Sequence, residues 1–330
     1  MSTSRDQRGE SRMLRTIPHD GDEATETVAV VIPTLNEERS IGRVIDDVPV
    51  ADLLKKGLET AVYVIDGRSS DNTREIAVEK GATIILEERQ GKGSAIQTAF
   101  KSIDADYAIM VDGDDTYPID MATEMTCLLK KYDVVIGSRL KGFIEPGAMS
   151  RLNVLGNTLL TLLARALFGI TVTDVCTGLW GYRGDAVRRL ELEAHGFEIE
   201  ADMFSECARK GLSIAEIPIR YRARADHAKL SSLRDGLRIG AFLCRKRLMA
   251  RMRTPAANAQ PERVRTADGR HVALVQRWDV RNRQQKWTHR PEQTNVRPIR
   301  NHWTEGALSD PDTIDEQVNV ETQEMVLSCR

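Results

Sequence analysis

Short apolar runs, each stopping at a cluster of polar residues, recur along the first half of this chain and leave few folds open. Val28–Ile32, Val62–Ile65, Thr83–Leu86, Ala108–Val111 and Val134–Ile136 are too short for buried helices and read as strands. Helical patterns separate several of them: through Ile41, Val44 and Ile45; over Arg74–Lys80, closed by Gly81; and over Ser94–Ser102, behind Gly91-Lys92-Gly93. The alternation predicts an α/β fold, a mostly parallel central sheet with helices on both faces. Parallel strands present their C-terminal ends at one edge, where such sheets bind ligands. The polar stretches Pro33–Glu37, Asp66–Thr73 and Asp112–Thr116 should therefore meet, and a nucleotide suits the pocket they would form.

The densest of these stretches is Asp112-Gly113-Asp114-Asp115. Two carboxylates two residues apart on a glycine turn can share one hard cation and leave positions open for phosphate oxygens. A solvated Asp/Gly turn is the alternative.

The chain has 330 residues, 41% of them apolar, with net charge −2. No global field argues for nucleic acid, and the one basic segment lacks interleaved aromatics, so no nucleic-acid partner is expected. Five scattered cysteines without C-x-x-C give neither a disulfide framework nor a zinc site and agree with a reducing, cytoplasmic setting. The N-terminus has no apolar h-region, and no apolar run reaches the ~18 residues of a membrane span. Membrane contact, if made, is peripheral.

Residues 1–26 read as a disordered tail and 27–228 as the folded domain. Arg151–Phe168 repeats Leu at helical spacing, fitting either a core helix or one touching lipid. Asp174–Arg183 reads as a loop entering a strand, and Glu198–Asp202 opens a helix. Within that helix Glu200 and Asp202 fit either macrodipole stabilisation or a general base. Ile214–Ile219 is a final strand running into Arg220–Arg224. Residues 229–253 hold eight Lys/Arg against Asp235 alone, interleaved with leucines: an amphipathic helix for an anionic membrane surface, or a solvated basic face. The polar stretch 254–330 reads as a mostly disordered appendage.

VVIPTLNEERSI, VIDGRSSDNT, VDGDDTYP and VVIGSR, in that order, resemble glycosyltransferase family 2 enzymes of the GT-A (nucleotide-diphospho-sugar transferase) fold. EPGAMSRLNVLGN, DVCTGLWGYR, GFEIEADM and EIPIRYRARADHAKLSSLRDG extend the likeness to about residues 28–250. It is greatest to dolichyl-phosphate mannosyltransferase-like enzymes, especially the archaeal enzymes of N-glycosylation. The resemblance implies a UDP- or GDP-linked sugar donor and a polyprenyl or dolichyl phosphate acceptor, with Mg²⁺ or Mn²⁺ held by Asp112 and Asp114. It implies a donor-binding loop at Pro33, Leu35 and Glu37, with Asp66 on the base or ribose side. It places Gly113 and Thr116 beside the metal, and Arg139, Arg224 and Lys229 around the phosphates. Asp114 and Arg139 are implied in catalysis, with Asp202 or Glu200 as base were the acceptor a sugar hydroxyl. Thr116-Tyr117-Pro118, Leu179 and Gly67 depart from the mannosyltransferase pattern, which leaves the donor open. A transferase for a soluble acceptor is the alternative.

Overall fold

Nine consecutive residues, Glu26–Thr34, form β1, the strand on which the sheet is built. The computed structural model describes residues 25–224 and 232–252, together with the paired two-residue strands β8 (Val264–Arg265) and β9 (His271–Val272). Expectations for residues 1–24, for Lys229 and for the remainder of 254–330 lie outside the described residues.

The other strands are β2 (Leu58–Asp66), β3 (Thr83–Leu86), β4 (Tyr107–Val111), β5 (Val134–Ile144), β6 (Leu179–Arg183) and β7 (Ile214–Tyr221). The helices are α1 (Ile41–Asp46), α2 (Val50–Lys55), α3 (Thr73–Glu79), α4 (Lys92–Ser102) and α5 (Ala122–Leu129). They continue with α6 (Arg151–Phe168), α7 (Gly184–Val187), α8 (Ile199–Lys210) and α9 (Ser232–Met252). The strands form one seven-stranded sheet in the order β3-β2-β1-β4-β6-β5-β7. All pairings are parallel except those of β6, which lies antiparallel between β4 and β5. The expected mostly parallel α/β architecture is present.

The strand period of two divides the core. Val28, Val30 and Ile32 face a layer that includes Ile41 of α1, Ala77 of α3 and Leu128 of α5. Val31 packs on Ala95 and Ala99 of α4. Beyond β4 the same face carries Trp180, Ala164 of α6, Phe204 of α8 and Leu243 of α9. Helix α6 begins where Ser150 accepts a hydrogen bond from the Asn153 amide and ends at Gly169 in the left-handed region, φ 73°. Among the described residues no helix is long and apolar enough to cross a membrane.

Ion pairs set the ends of several strands. After β3, buried Glu87 accepts from Arg89 Nε at 3.0 Å and Nη2 at 2.9 Å, and from the Thr98 hydroxyl. The Arg89 hydrogen bond leads, and with Thr98 it outweighs burial, holding the Glu87 pKa down at about 2 against an ordinary 4.5. A depressed carboxylate stabilises the fold above its unfolded value, and the contribution is lost as pH falls toward the folded value. With Arg89 partly exposed the effect is about 1–2 kcal/mol. Glu87→Gln should therefore lower the melting temperature at pH 7 and remove part of the wild-type loss between about pH 4.5 and 2. Thermal unfolding followed across that range measures it.

Candidate active site

The in-register pairing Thr34↔Asp66 brings the ends of β1 and β2 level, and β4 runs parallel on the other side of β1. The three loops expected to meet do meet. Ser69 Oγ accepts from the Asn36 amide at 2.9 Å, and Thr73 Oγ1 from the Glu37 amide at 2.8 Å. Ser40 Oγ donates to the Gly113 carbonyl at 2.8 Å. Each loop holds one non-glycine residue in the left-handed region: Asn36 (φ 54°), Arg68 (φ 71°) and Asp115 (φ 60°). Such residues gather where surrounding structure fixes a functional loop. Asn and Asp tolerate the conformation best, a signal the sequence did carry.

Asp112 and Asp114 leave the end of β4 together, each held against a cation. Lys92 Nζ lies 2.5 Å from Asp112 Oδ1 and 2.5 Å from Glu200 Oε1. Glycines on both sides of Lys92 press α4 against the 194–195 backbone, where a Cβ at Gly91 or Gly93 would strike carbonyl oxygens. Burial acts to lower the Lys92 pKa, but Asp112 and Glu200 outweigh it and hold the ammonium above its ordinary value. Burial also pushes Asp112 up, to about 6, against the pull of Lys92. Gly178 closes the other side, since a Cβ there would run into the Asp112 carboxylate.

Asp114 accepts from the Thr116 hydroxyl at 2.6 Å, and its Oδ2 lies 3.2 Å from Arg224 Nη2. The same guanidinium donates to Glu37 Oε1 at 3.0 Å. Arg224 thus joins the first loop, the carboxylate turn and the segment after β7. The Arg222 amide donates to the Thr116 carbonyl at 2.9 Å, and its side chain pairs with Asp115 at 3.0 Å. Pro33 is buried at the end of β1, and Leu35 is 45% exposed at the sheet edge.

Several implied residues have partners within the protein. Asp66 is fully buried and accepts from the Arg68 and Ser69 amides at 3.1 and 3.0 Å, so its carboxylate shapes its own loop. Thr116 turns its hydroxyl to Asp114 and orients that carboxylate. Arg139 is not a free phosphate-binding cation. Its Nε and Nη2 each lie 2.7 Å from an oxygen of Asp174, and its guanidinium sits over the Tyr117 and Tyr221 rings. Burial alone would lower its pKa, but Asp174 outweighs that and holds it well above the ordinary value. Asp202 does not reach the site. Its Oδ2 accepts from the Glu193 and Ala194 amides at 2.7 and 2.8 Å, and its Oδ1 pairs with Lys246 of α9 at 2.8 Å. Glu200 is the α8 carboxylate that reaches the site. Lys92, which the sequence reading placed only before a helix, is the cation beneath it.

No group of three or more His, Cys, Asp or Glu able to hold a metal occurs among the described residues. The chain thus offers two hard carboxylates on one turn, and Asp112 Oδ1 is buried without a hydrogen-bond partner of good geometry. That set fits a Mg²⁺- or Mn²⁺-class ion whose remaining ligands are water and phosphate oxygens. It does not fit a closed structural site.

The Glycosyl transferase family 2 model matches residues 29–191. The dolichyl-phosphate hexose transferase of Haloferax volcanii is 37% identical over 227 residues, covering 68% of this chain and 96% of its own. Glycosyltransferase AglJ of the same organism is 36% identical over 215 residues, covering 64% of this chain and 69% of its own. Among solved structures, glucosyl-3-phosphoglycerate synthase of Mycobacterium tuberculosis, in complex with Mn²⁺, UDP-glucose and phosphoglyceric acid, aligns with a TM-score of 0.53. The identity is 22%, over 71% of this chain and 82% of that one, and the likeness gives the shared GT-A fold. A family match running from β1 to beyond α7, with a relative aligned along nearly its whole length, places this chain in glycosyl transferase family 2.

Proposed function

We propose that this glycosyltransferase moves a hexose, or a hexose derivative, from a UDP- or GDP-linked donor to a polyprenyl or dolichyl phosphate, with inversion. The product would feed glycoprotein or cell-surface glycan synthesis from the cytoplasmic face of the membrane. The relatives named for dolichyl-phosphate hexose transfer and, at 28% identity, undecaprenyl-phosphate mannosyl transfer support the acceptor class.

One structural observation carries the choice of acceptor. Glu200 is paired with Lys92, Glu37 with Arg224, and Asp202 with Lys246 and two amides. Each carboxylate that could act as a base is thus held by a cation. A sugar hydroxyl needs such a base, whereas a phosphate oxygen is already anionic at neutral pH. The acceptor oxygen forms the new bond to the anomeric carbon as the bond to the diphosphate breaks, and the nucleoside diphosphate leaves. Arg224, which bridges Glu37 and Asp114, would turn to phosphate oxygens once a metal ion takes up Asp114, and Lys92 with Glu200 lines the wall beside Asp112. A Mg²⁺ or Mn²⁺ ion at Asp112 and Asp114 would supply charge neutralisation for the departing diphosphate. The rest is positioning and electrostatics.

The test is transfer by the purified full chain, using dolichyl phosphate, Mg²⁺ or Mn²⁺ and a panel of UDP- and GDP-sugars, with the glycolipid read by mass spectrometry. A metal-dependent glycosyl phospholipid is expected. Nucleoside diphosphate release with a water-soluble sugar acceptor, and no glycolipid, would replace this reading with the soluble-acceptor one.

A further inference from the structure

Behind the carboxylate turn the fold buries a charged pair. Arg139 is 6% exposed and Asp174 is wholly buried. Both oxygens of Asp174 are taken by Arg139. Oδ2 accepts from Nε at 2.7 Å and from the Arg139 backbone amide at 3.0 Å, and Oδ1 accepts from Nη2 at 2.7 Å. A buried pair of this kind contributes little net stability, because the cost of desolvating two charges offsets their attraction. Apolar side chains of similar volume would hold the core as well. What an arginine gripped bidentately adds is direction, since its planar guanidinium is left with one orientation.

That orientation fixes three segments at once. The guanidinium lies over the ring of Tyr117, the residue after Thr116, and over the ring of Tyr221 at the end of β7, 5.9 and 5.4 Å from their centroids. The two rings meet edge to face with centroids 5.0 Å apart. Beside them the Arg222 amide donates to the Thr116 carbonyl at 2.9 Å, so rings and backbone both join the turn to β7. Arg139 Nη2 also donates to the Cys176 carbonyl at 2.7 Å, two residues before Gly178. Gly178 is the wall against which Asp112 rests: a Cβ there would overlap the Asp112 carboxylate and the Tyr117 ring together. One guanidinium thus sets the Gly178 wall beside Asp112. Through Tyr117 it also sets Thr116, whose hydroxyl donates to Asp114 at 2.6 Å.

We propose that Asp174 and Arg139 are positioning residues for the carboxylate turn. Asp174 orients Arg139, and Arg139 holds Tyr117 and the Gly178 wall at the spacing in which Asp112 and Asp114 share one divalent ion. Arg139 itself meets neither the ion nor a phosphate, because its charge is already answered by Asp174. The inference rests on the reading that Asp112 and Asp114 take Mg²⁺ or Mn²⁺. It goes beyond that reading in assigning the geometry of the pair to residues that do not touch the ion.

Two variants test it. Arg139→Lys keeps a positive charge beside Asp174 and loses the planar fork that reaches Cys176 and both rings. Arg139→Met/Asp174→Asn removes both charges together, so neither is left uncompensated, and the new side-chain amide can still accept from the backbone amide of residue 139. Mn²⁺ binding to the purified full chain is read by electron paramagnetic resonance, alone and with UDP or GDP, beside the melting temperature. Both variants should melt within a few degrees of wild type and bind Mn²⁺ about 10- to 100-fold more weakly. Glu206→Gln is the control, because it breaks a buried ion pair of α8 with Arg209 and Lys246. It should lower the melting temperature and leave Mn²⁺ affinity unchanged. Wild-type affinity in a folded variant, or an equal loss in Glu206→Gln, would overturn the proposal. So would a loss that in both variants only matches the fraction unfolded, since the pair would then be structural. Wild-type protein that binds no Mn²⁺ would remove the metal reading and this inference with it. Weakened Mn²⁺ binding in the variants of a protein that transfers sugar to no lipid phosphate would keep the positioning role and remove the proposed acceptor.

Discussion

Asp114→Asn should lower transfer by about a thousandfold or more while leaving the fold intact. The substitution keeps the shape of the side chain, and its amide oxygen can still accept from Thr116, which now bonds Asp114 at 2.6 Å. What it removes is the negative charge of Asp114, one of the two carboxylates proposed to share the cation. Arg224, 3.2 Å from Asp114, keeps its second partner Glu37 at 3.0 Å, so the segment after β7 stays anchored. A cation shared by Asp112 and Asp114 would lose a charged ligand, and developing charge on the leaving diphosphate would lose its counterweight. Three measurements on one preparation separate the causes: turnover of the donor found in the panel assay, Mn²⁺ binding by electron paramagnetic resonance, and the melting temperature. The expected result is lost turnover and weakened Mn²⁺ binding with the melting temperature nearly unchanged. Undiminished turnover would remove Asp114 from the reaction, and a loss matching the fraction unfolded would make its role structural.

The sheet was readable in the sequence where apolar runs are continuous, because burial on both faces leaves no room for polar residues. The run Thr83–Leu86 gives β3 with both ends as expected, and Arg151–Phe168 gives α6, helped by a serine before it and a glycine after it. The second half of β5, Gly137–Ile144, was missed: its residues mix polar with apolar and pass from buried Ser138 and Arg139 to exposed Lys141, Gly142 and Phe143, and its partner β7 lies some eighty residues away. The antiparallel setting of β6 was equally hidden, since strand direction depends on how a long connection returns, and local pattern does not record it. The site divides the same way. The three loops were legible as polar ends of buried strands, and they do converge. Which charges remain available was not legible. Arg139 is neutralised by Asp174, 35 positions away, and no local pattern announces that pair. Glu200 and Asp202 are two residues apart on one helix, so their side chains leave in widely different directions and only one can face β4. The choice was made by packing against α9, whose Lys246 takes Asp202. Lys92 was hidden for another reason: a single lysine between glycines looks like a helix start until α8 brings Glu200 beside it.

Lys92 therefore carries the second large effect. Its ammonium joins α4, the end of β4 and α8 by contacts of 2.5 Å to Asp112 and Glu200, and it is the cation that offsets the two carboxylates in the metal-free protein. Removing one partner from a buried ionic group leaves the other charges uncompensated, at a cost of about 3–5 kcal/mol. Lys92→Gln should lose about that much stability at pH 8 in the presence of a chelator. The pH dependence follows from Asp112. Burial already raises its pKa from 3.8 to about 6, so the native state holds an extra proton in that interval, and Asp112 costs the wild type stability as pH rises through it. Without Lys92 the opposing pull is gone and the pKa moves further up. The variant should thus be closest to wild type near pH 5 and fall away as pH rises through and beyond 6. A divalent ion supplies the missing positive charge, so Mn²⁺ with a nucleoside diphosphate should raise the melting temperature of the variant more than that of the wild type. Its Mn²⁺ affinity should be about tenfold higher, because no ammonium competes for Asp112. Melting curves with and without Mn²⁺, at pH 5 and pH 8, decide between two roles for the same side chain. If the variant binds Mn²⁺ more weakly and gains less from it, Lys92 orders the carboxylates for the ion. If it gains more, Lys92 holds the place of the ion until donor and metal arrive.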